Sequence, residues 1–319
     1  RNVGIGYNTL NQLNTGSAID TYNTAVGFTA GGAITTGTHN TLIGGQAGDA
    51  MTTAAHNVAI GYNAMTAVTE GNTNIAIGRD ALATNTVGDR NVAIGHEALM
   101  TMNPSSDSDN YNVAVGYNAG KAVTTGARNT LIGGLAGDAL TTASGSVALG
   151  YNALGSTTTA IENVAIGINA LVANVDGAKN VAVGSYALTA LDPASAVNMY
   201  NVAVGHQAGT AITTGTLNTI VGGLAGDALT TGANNVVLGT QALSSETGGG
   251  KNVAIGYGSL ELLNFNDDGN NVAVGYIAGQ QITTGIQNTI IGSQAGDAIT
   301  TGTRNIAIGF AALSLEDAH

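Results

Sequence analysis

The sequence predicts an all-β fold, a β-solenoid (a parallel β-roll) of about eighteen 17-residue coils. Three observations carry that expectation. A pentad of the form N-x-x-x-G recurs from one end of the chain to the other, which makes an internal repeat the first fact to explain. Its copies start at Asn2, Asn23, Asn40, Asn57, Asn74, Asn91, Asn112, Asn129, Ser146, Asn163, Asn180, Asn201, Asn218, Asn235, Asn252, Asn271, Asn288 and Asn305. They are 17 residues apart, stretched to 21 three times and to 19 once. Within each pentad the fourth position is always Ile, Val or Leu, the residue types that suit a pleated, packed surface.

Each part of the coil has its own justification. Asn at position one fits a corner and, stacked in register, a ladder of side-chain amides. Positions two and four, Val58 and Ile60 for example, share one face of a strand and are expected to fill the interior of their own coil. Position three points the other way and is Ala in most copies, with Leu42, Leu131, Ile220, Val237 and Ile290 among the exceptions. A small apolar residue repeated at one height per coil is what close approach by another backbone requires. The expectation is a second copy of the chain, meeting Ala59, Ala76, Ala93, Ala114, Ala165, Ala182, Ala203, Ala254, Ala273 and Ala307. The competing reading is that the second segment of the same coil folds over this face. Position five is Gly in every copy, from Gly6 to Gly309, so the backbone there needs positive φ or has no space for a side chain. A turn, a second segment such as "ALATNTVG" and a return turn complete the coil.

A longer period lies over the first. Asn23, Asn112 and Asn201 are 89 residues apart, giving blocks near 23–111, 112–200, 201–270 and 271–319 within one array over 1–319. Four inserts accompany this period, one ahead of the first block and one at the end of each of the first three: "YNTLNQLNTGSAIDTY", "HEALMTMNPSSDSDNY", "SYALTALDPASAVNMY" and the shorter "YGSLELLNFNDDGN". Loops on a rigid scaffold are where binding resides. Asn103, Pro104, Asp107, Asp109, Asp192, Pro193, Asp267 and Asp268 are therefore the candidate surface-binding residues, against the plainer reading of inserts that break up exposed sheet.

Composition excludes several classes. Net charge is −12 with only eight Lys and Arg, the wrong sign for nucleic acid. Nothing in the sequence reaches the length of an apolar membrane span, so no membrane insertion is expected. The chain opens at Arg1 in mid-repeat, which reads as a piece of something longer, and "LSLEDAH" at 313–319 reads as the start of a helix.

The stretches "NVAIGYNA", "NIAIGRDA" and "NVAIGHEA" resemble the head repeats of YadA-type trimeric autotransporter adhesins. They are similar too to the repeat shafts of phage tail-fibre proteins. The resemblance implies a left-handed roll, three chains side by side, an extracellular place on a cell surface or virion, and an adhesive or fibre role. The adhesin-head unit is usually shorter than 17 residues, and the 89-residue super-repeat is not part of its pattern.

Candidate chemistry is sparse. His39, His56, His96, His206 and His319 have no metal or triad spacing; His39 and His56 are expected to stack in adjacent coils. Asp49, Asp138, Asp227 and Asp297 recur in "AGDA" and read as turn formers rather than a catalytic pair. "DSDN" and "NDDGNN" are oxygen-rich enough for Ca²⁺, with solvated turns as the preferred reading and no cofactor expected. The aromatics after the Gly (Tyr7, Phe28, Tyr62, Tyr117, Tyr151, Tyr257, Tyr276 and Phe310) read as corner packing, with sugar stacking as the alternative. The function expected is a non-enzymatic, homotrimeric fibre segment that holds or forms a receptor- or glycan-binding element. The alternatives are an ice-binding solenoid, from recurrent pairs such as Thr35–Thr36, and a glycan-degrading spike.

Overall fold

The computed structural model describes residues 1–14, 16 and 20–314. The helix expected over 313–319 and His319 fall largely outside that range. The described chain is a parallel β-solenoid with about eighteen coils and no helix. It divides into two units, Arg1–Glu162 and Asn163–His319. Unit one carries the strands Val3–Ile5, Thr24–Val26, Thr41–Ile43, Val58–Ile60, Ile75–Ile77, Val92–Ile94, Val113–Val115, Thr130–Ile132 and Val147–Leu149. Unit two carries an equal set from Val164–Ile166 to Ile306–Ile308.

Pairing is parallel and strictly in register, so that Val58 lies beside Ile75, Ala59 beside Ala76 and Ile60 beside Ile77. The stretched spacings do not break it: Val92 pairs with Val113 across 21 residues. Strands are three residues long, shorter than the expected five, because positions one and five have other work.

Position one is the amide ladder the sequence predicts. Asn40, Asn57, Asn74 and Asn91 are fully buried. Each Oδ1 accepts the backbone N–H of the next Asn, at 2.8 Å from Asn57 to Asn74. The Nδ2 of Asn40, Asn57 and Asn74 donates to a carbonyl fourteen residues on, as Asn57 does to Gly71 at 2.8 Å, while that of Asn91 donates to the Asp89 carbonyl. The left-handed residue is the one before the Asn, not the Asn itself: His39, His56, Thr73, Arg90 and Tyr111 all have φ between +52° and +60°. At position five both halves of the expectation hold together. Gly61 has φ +135°, and a Cβ there would lie 2.6 Å from the carbonyl oxygen of Gly78 in the next coil.

Positions two to four are placed opposite to expectation. Ala59, Ala76, Ala93, Ala114, Ala165, Ala182, Ala203, Ala254 and Ala273 are fully buried within the single chain, and Ala307 is 1% exposed, so none is available to a partner. Positions two and four face outward, and none of their residues is buried. The approaching backbone that the small residues require belongs to the same coil. Its second segment brings Ala64 and Met65, or Ala81 and Leu82, against the strand, all fully buried.

That segment is a run of turns. Residues such as Asn63 and Met65, or Asp80 and Leu82, alternate into the left-handed region at φ +53° to +57°. Their backbone groups bond to neighbouring coils, Asp80 N–H to the Tyr62 carbonyl and Leu82 N–H to the Ala98 carbonyl, both at 3.0 Å. Among the described residues, Gly88–Asp89 with Ser108–Asp109, and Gly177–Ala178 with Val197–Asn198, form further parallel ladders.

The interior is narrow, and its volume is exchanged between two columns. Where position three is Ala, position nine is usually Met or Leu, as in Met65, Leu82 and Leu99. Where position three is Leu131, position nine is Gly in its own coil and in the one before. A Cβ on Gly137 or Gly120 would come within 2.9 Å or 2.7 Å of the Leu131 side chain. Leu42 stands between Gly31 and Gly48 in the same way, at 2.8 Å and 3.0 Å. Close packing at this density leaves no alternative to such compensation. Nothing in the structure explains why position two is Thr in these coils.

Candidate functional site

With the alanines inside, the outer face of the sheet is a uniform surface on each unit. Positions two and four form two columns of Val, Ile, Leu and Thr without a charged side chain. Ile43, Ile75, Ile132 and Leu149 are 37–43% exposed in unit one, and Val236, Leu238 and Ile291 are 39–46% exposed in unit two. Nine strands ~4.8 Å apart give a strip ~38 Å long on each unit. Contiguous apolar surface of that extent marks an interaction site on a soluble protein.

The two borders of the strip differ. On the side before the Asn stand Arg1, Arg90 and Arg128, with Glu162, in unit one and Lys179, Lys251 and Arg304 in unit two, six of the chain's eight cations. Aromatic rings lie between some of them: Arg1 sits over Tyr22 at 5.9 Å, Arg90 over Tyr111 at 5.7 Å, and Lys179 over Tyr200 at 5.5 Å. Tyr22, His39 and His56 continue as a stack with centroids 5.2 Å and 4.8 Å apart, the His pair being as expected. On the other border stand the exposed aromatics, stacked between coils in Tyr7–Phe28, His96–Tyr117 and Tyr257–Tyr276 at 5.5–5.6 Å.

The inserts are sewn to the coil beneath them. The buried Asn85 accepts from Gly88 N–H at 2.9 Å and donates to Gly88 carbonyl, forming a seat on which Pro104 packs. Asn174 and Gly177 repeat the seat under Pro193. Asn103 accepts from the Thr86 hydroxyl at 2.7 Å, and Asp192 accepts from Val175 N–H at 3.3 Å. In the short insert the fully buried Glu246 takes the Asn role, accepting from Thr247, Gly249 and Phe265 N–H at 2.7–3.0 Å. Burial pushes its carboxyl above the ordinary value, against the pull of those donors.

The acidic loop residues are similarly engaged. Asp109 is paired with Arg90 and accepts from the Tyr111 hydroxyl. Asp268 is paired with Lys251 at 2.5 Å, and Asp267 accepts from the backbone N–H of Asp268. Asp107 lies close enough to help raise the carboxyl of Asp89, whose main cause is burial. Among the candidate loop residues, then, most hold the insert to its coil.

One cluster escaped the sequence reading. Asp80, His96 and Glu97 place ligand atoms within 4.8 Å of one another, because residues 17 apart become neighbours once the coils stack. Asp80 is paired with Arg79 at 2.9 Å and Glu97 with Lys121 at 2.5 Å, so both carboxylates already have cations. The Thr pairs also extend further than the pairs alone suggest. Thr35, Thr52, Thr69 and Thr86 form one column, and the first three hydroxyls donate to the carbonyl of the next Thr at 3.1–3.2 Å. Those donors are used in stacking coils. The AGDA aspartates behave as turn residues: burial raises the carboxyls of Asp138 and Asp227, and nearby N–H groups of the same turn lower them.

No family model, no curated protein and no solved structure matches this chain.

Proposed function

We propose that this chain is a non-enzymatic segment of an adhesive or structural fibre, displayed outside the cell or on a virion, that assembles with copies of itself through the outer face of its sheet. The observation that carries the reading is the strip of positions two and four, uncharged and half-exposed in coil after coil. Burying such a face gains roughly 25 cal/mol per Å², and association is its usual fate. Parallel copies bring unlike borders together, the border before the Asn of one chain against the aromatic border of the next. A ring of three is the assembly that the resemblance to trimeric adhesins implies, and unlike borders suit a cyclic arrangement of that kind.

The test separates the two faces of one strand. Ile94→Glu, on the outer face, is expected to give a folded chain that no longer assembles. Ala93→Glu, inside the coil, is expected to unfold the coil instead, since a charge would be buried where only a methyl group fits. Assembly that survives Ile94→Glu and the equivalent change at Ile77 would remove the strip from the interface.

A further inference from the structure

A groove in unit one has a volume of about 300 Å³, at the lower end of the range for small-molecule sites. It crosses three successive coils. Asn8, Asn11 and Gln12 come from the first, Phe28 from the second, and Gln46 and Asp49 from the third. Gly32 is part of the lining, at a position where most other coils carry a side chain and Gly155 is a second glycine. The same position is Asp49, Thr66, Lys121 and Thr210 elsewhere.

The next block shows what closing it looks like. There Lys121 replaces Gly32 and reaches Glu97, in place of Asn8, at 2.5 Å, while Leu135 replaces Gln46. An ion pair and an apolar side chain thus occupy the volume that block one leaves open. The block-one lining is different in kind: four carboxamides, one carboxylate and an aromatic ring 57% exposed. No cation lines it. Carboxamides donate to and accept from vicinal hydroxyls, a carboxylate accepts from them, and a flat ring packs against the C–H face of a sugar. The Asp49 carboxylate and the absence of a lining cation disfavour an anionic ligand.

We infer that the Gly32 groove is a binding site for an uncharged saccharide unit. The inference deepens the reading of the chain as a surface-binding fibre segment and rests on it for its biological sense.

The repeat itself supplies variants that the fold already accepts at equivalent positions. Gly32→Thr copies Thr210, Gln46→Leu copies Leu135, and Phe28→Ser copies Ser293. Saturation-transfer NMR with methyl glycosides of glucose, galactose, mannose and N-acetylglucosamine, and with glucuronate as the charged control, reads binding directly. At least one neutral glycoside should bind the unmodified chain, at least tenfold tighter than glucuronate. Gly32→Thr and Phe28→Ser should each weaken that binding tenfold or more with an unchanged circular dichroism spectrum. Absence of any neutral-glycoside signal, equal binding of glucuronate, or full binding by folded Gly32→Thr would each overturn the assignment. Light scattering on the same samples keeps the two claims apart. A chain that binds glycosides as a monomer refutes the assembly and leaves the groove, and an assembled chain that binds none refutes the groove alone.

Discussion

Asn57 shows how much one side chain holds in this fold. Its Oδ1 serves the Asn74 N–H and its Nδ2 the Gly71 carbonyl, both in a fully buried column. Asn57→Ala strands both backbone groups without water, at about 1–3 kcal/mol each. A loss of about 2–5 kcal/mol in urea unfolding is expected, and a loss below about 1 kcal/mol would show that the ladder is incidental. At this scale the Asn and Gly columns were legible in the sequence, because one residue type repeated in every coil states a backbone requirement. The side on which Val58, Ala59 and Ile60 point was not. Alternation assigns two faces but does not say which is wet, and a small residue is required by any nearby backbone, the chain's own included. A signal was available: position two accepts Thr at Thr24, Thr41, Thr130, Thr219 and Thr289, whereas position three never carries a polar residue. A column that tolerates hydroxyls is the one in contact with water.

The coil is the element in which size and charge are balanced. Leu131 fills the space left by Gly120 and Gly137, so Leu131→Ala should cost about 2–5 kcal/mol by opening a cavity. A Cβ on Gly137 would also lie 2.6 Å from Leu140, so the triple change Leu131→Ala, Gly137→Leu and Leu140→Thr should recover much of that loss. It recreates the Ala148, Leu154 and Thr157 arrangement of the next coil, where Leu154 holds the same left-handed φ (+55° against +57°). A triple variant no more stable than Leu131→Ala would show that these columns do not exchange volume. Charge makes a separate prediction. Burial raises the carboxyls of Glu246, Asp89, Asp138 and Asp227, so the folded chain holds protons that the unfolded chain releases. Stability from these groups is full below their ordinary values and is lost as pH rises through the raised ones. The melting temperature should therefore climb as pH falls from 7 toward 4.5, the ordinary glutamate value, and Glu246→Gln should reduce the climb. A melting temperature that falls over that range would contradict it. The coil period and the inserts were readable from spacing. The turn geometry of the second segment was not, because residues such as Met65 and Leu82 take left-handed φ against their own preference, held there by bonds to neighbouring coils.

At the scale of the molecule, the account turns on the outer face of the sheet. A solenoid satisfies its backbone by stacking, and each unit does so coil upon coil. What stacking does not satisfy is the apolar strip of positions two and four, which no segment of the described chain covers. The sequence predicted self-association but attached it to the alanines, which are sealed inside; the residues free to carry it are Val58, Ile60, Val92, Ile94 and their equivalents. Sedimentation equilibrium of the unmodified chain tests this most directly. The account predicts a stable species of three times the chain mass of 31.4 kDa, with no folded single chain at micromolar concentration. A well-folded species at 31.4 kDa, unchanged on concentration, would contradict it.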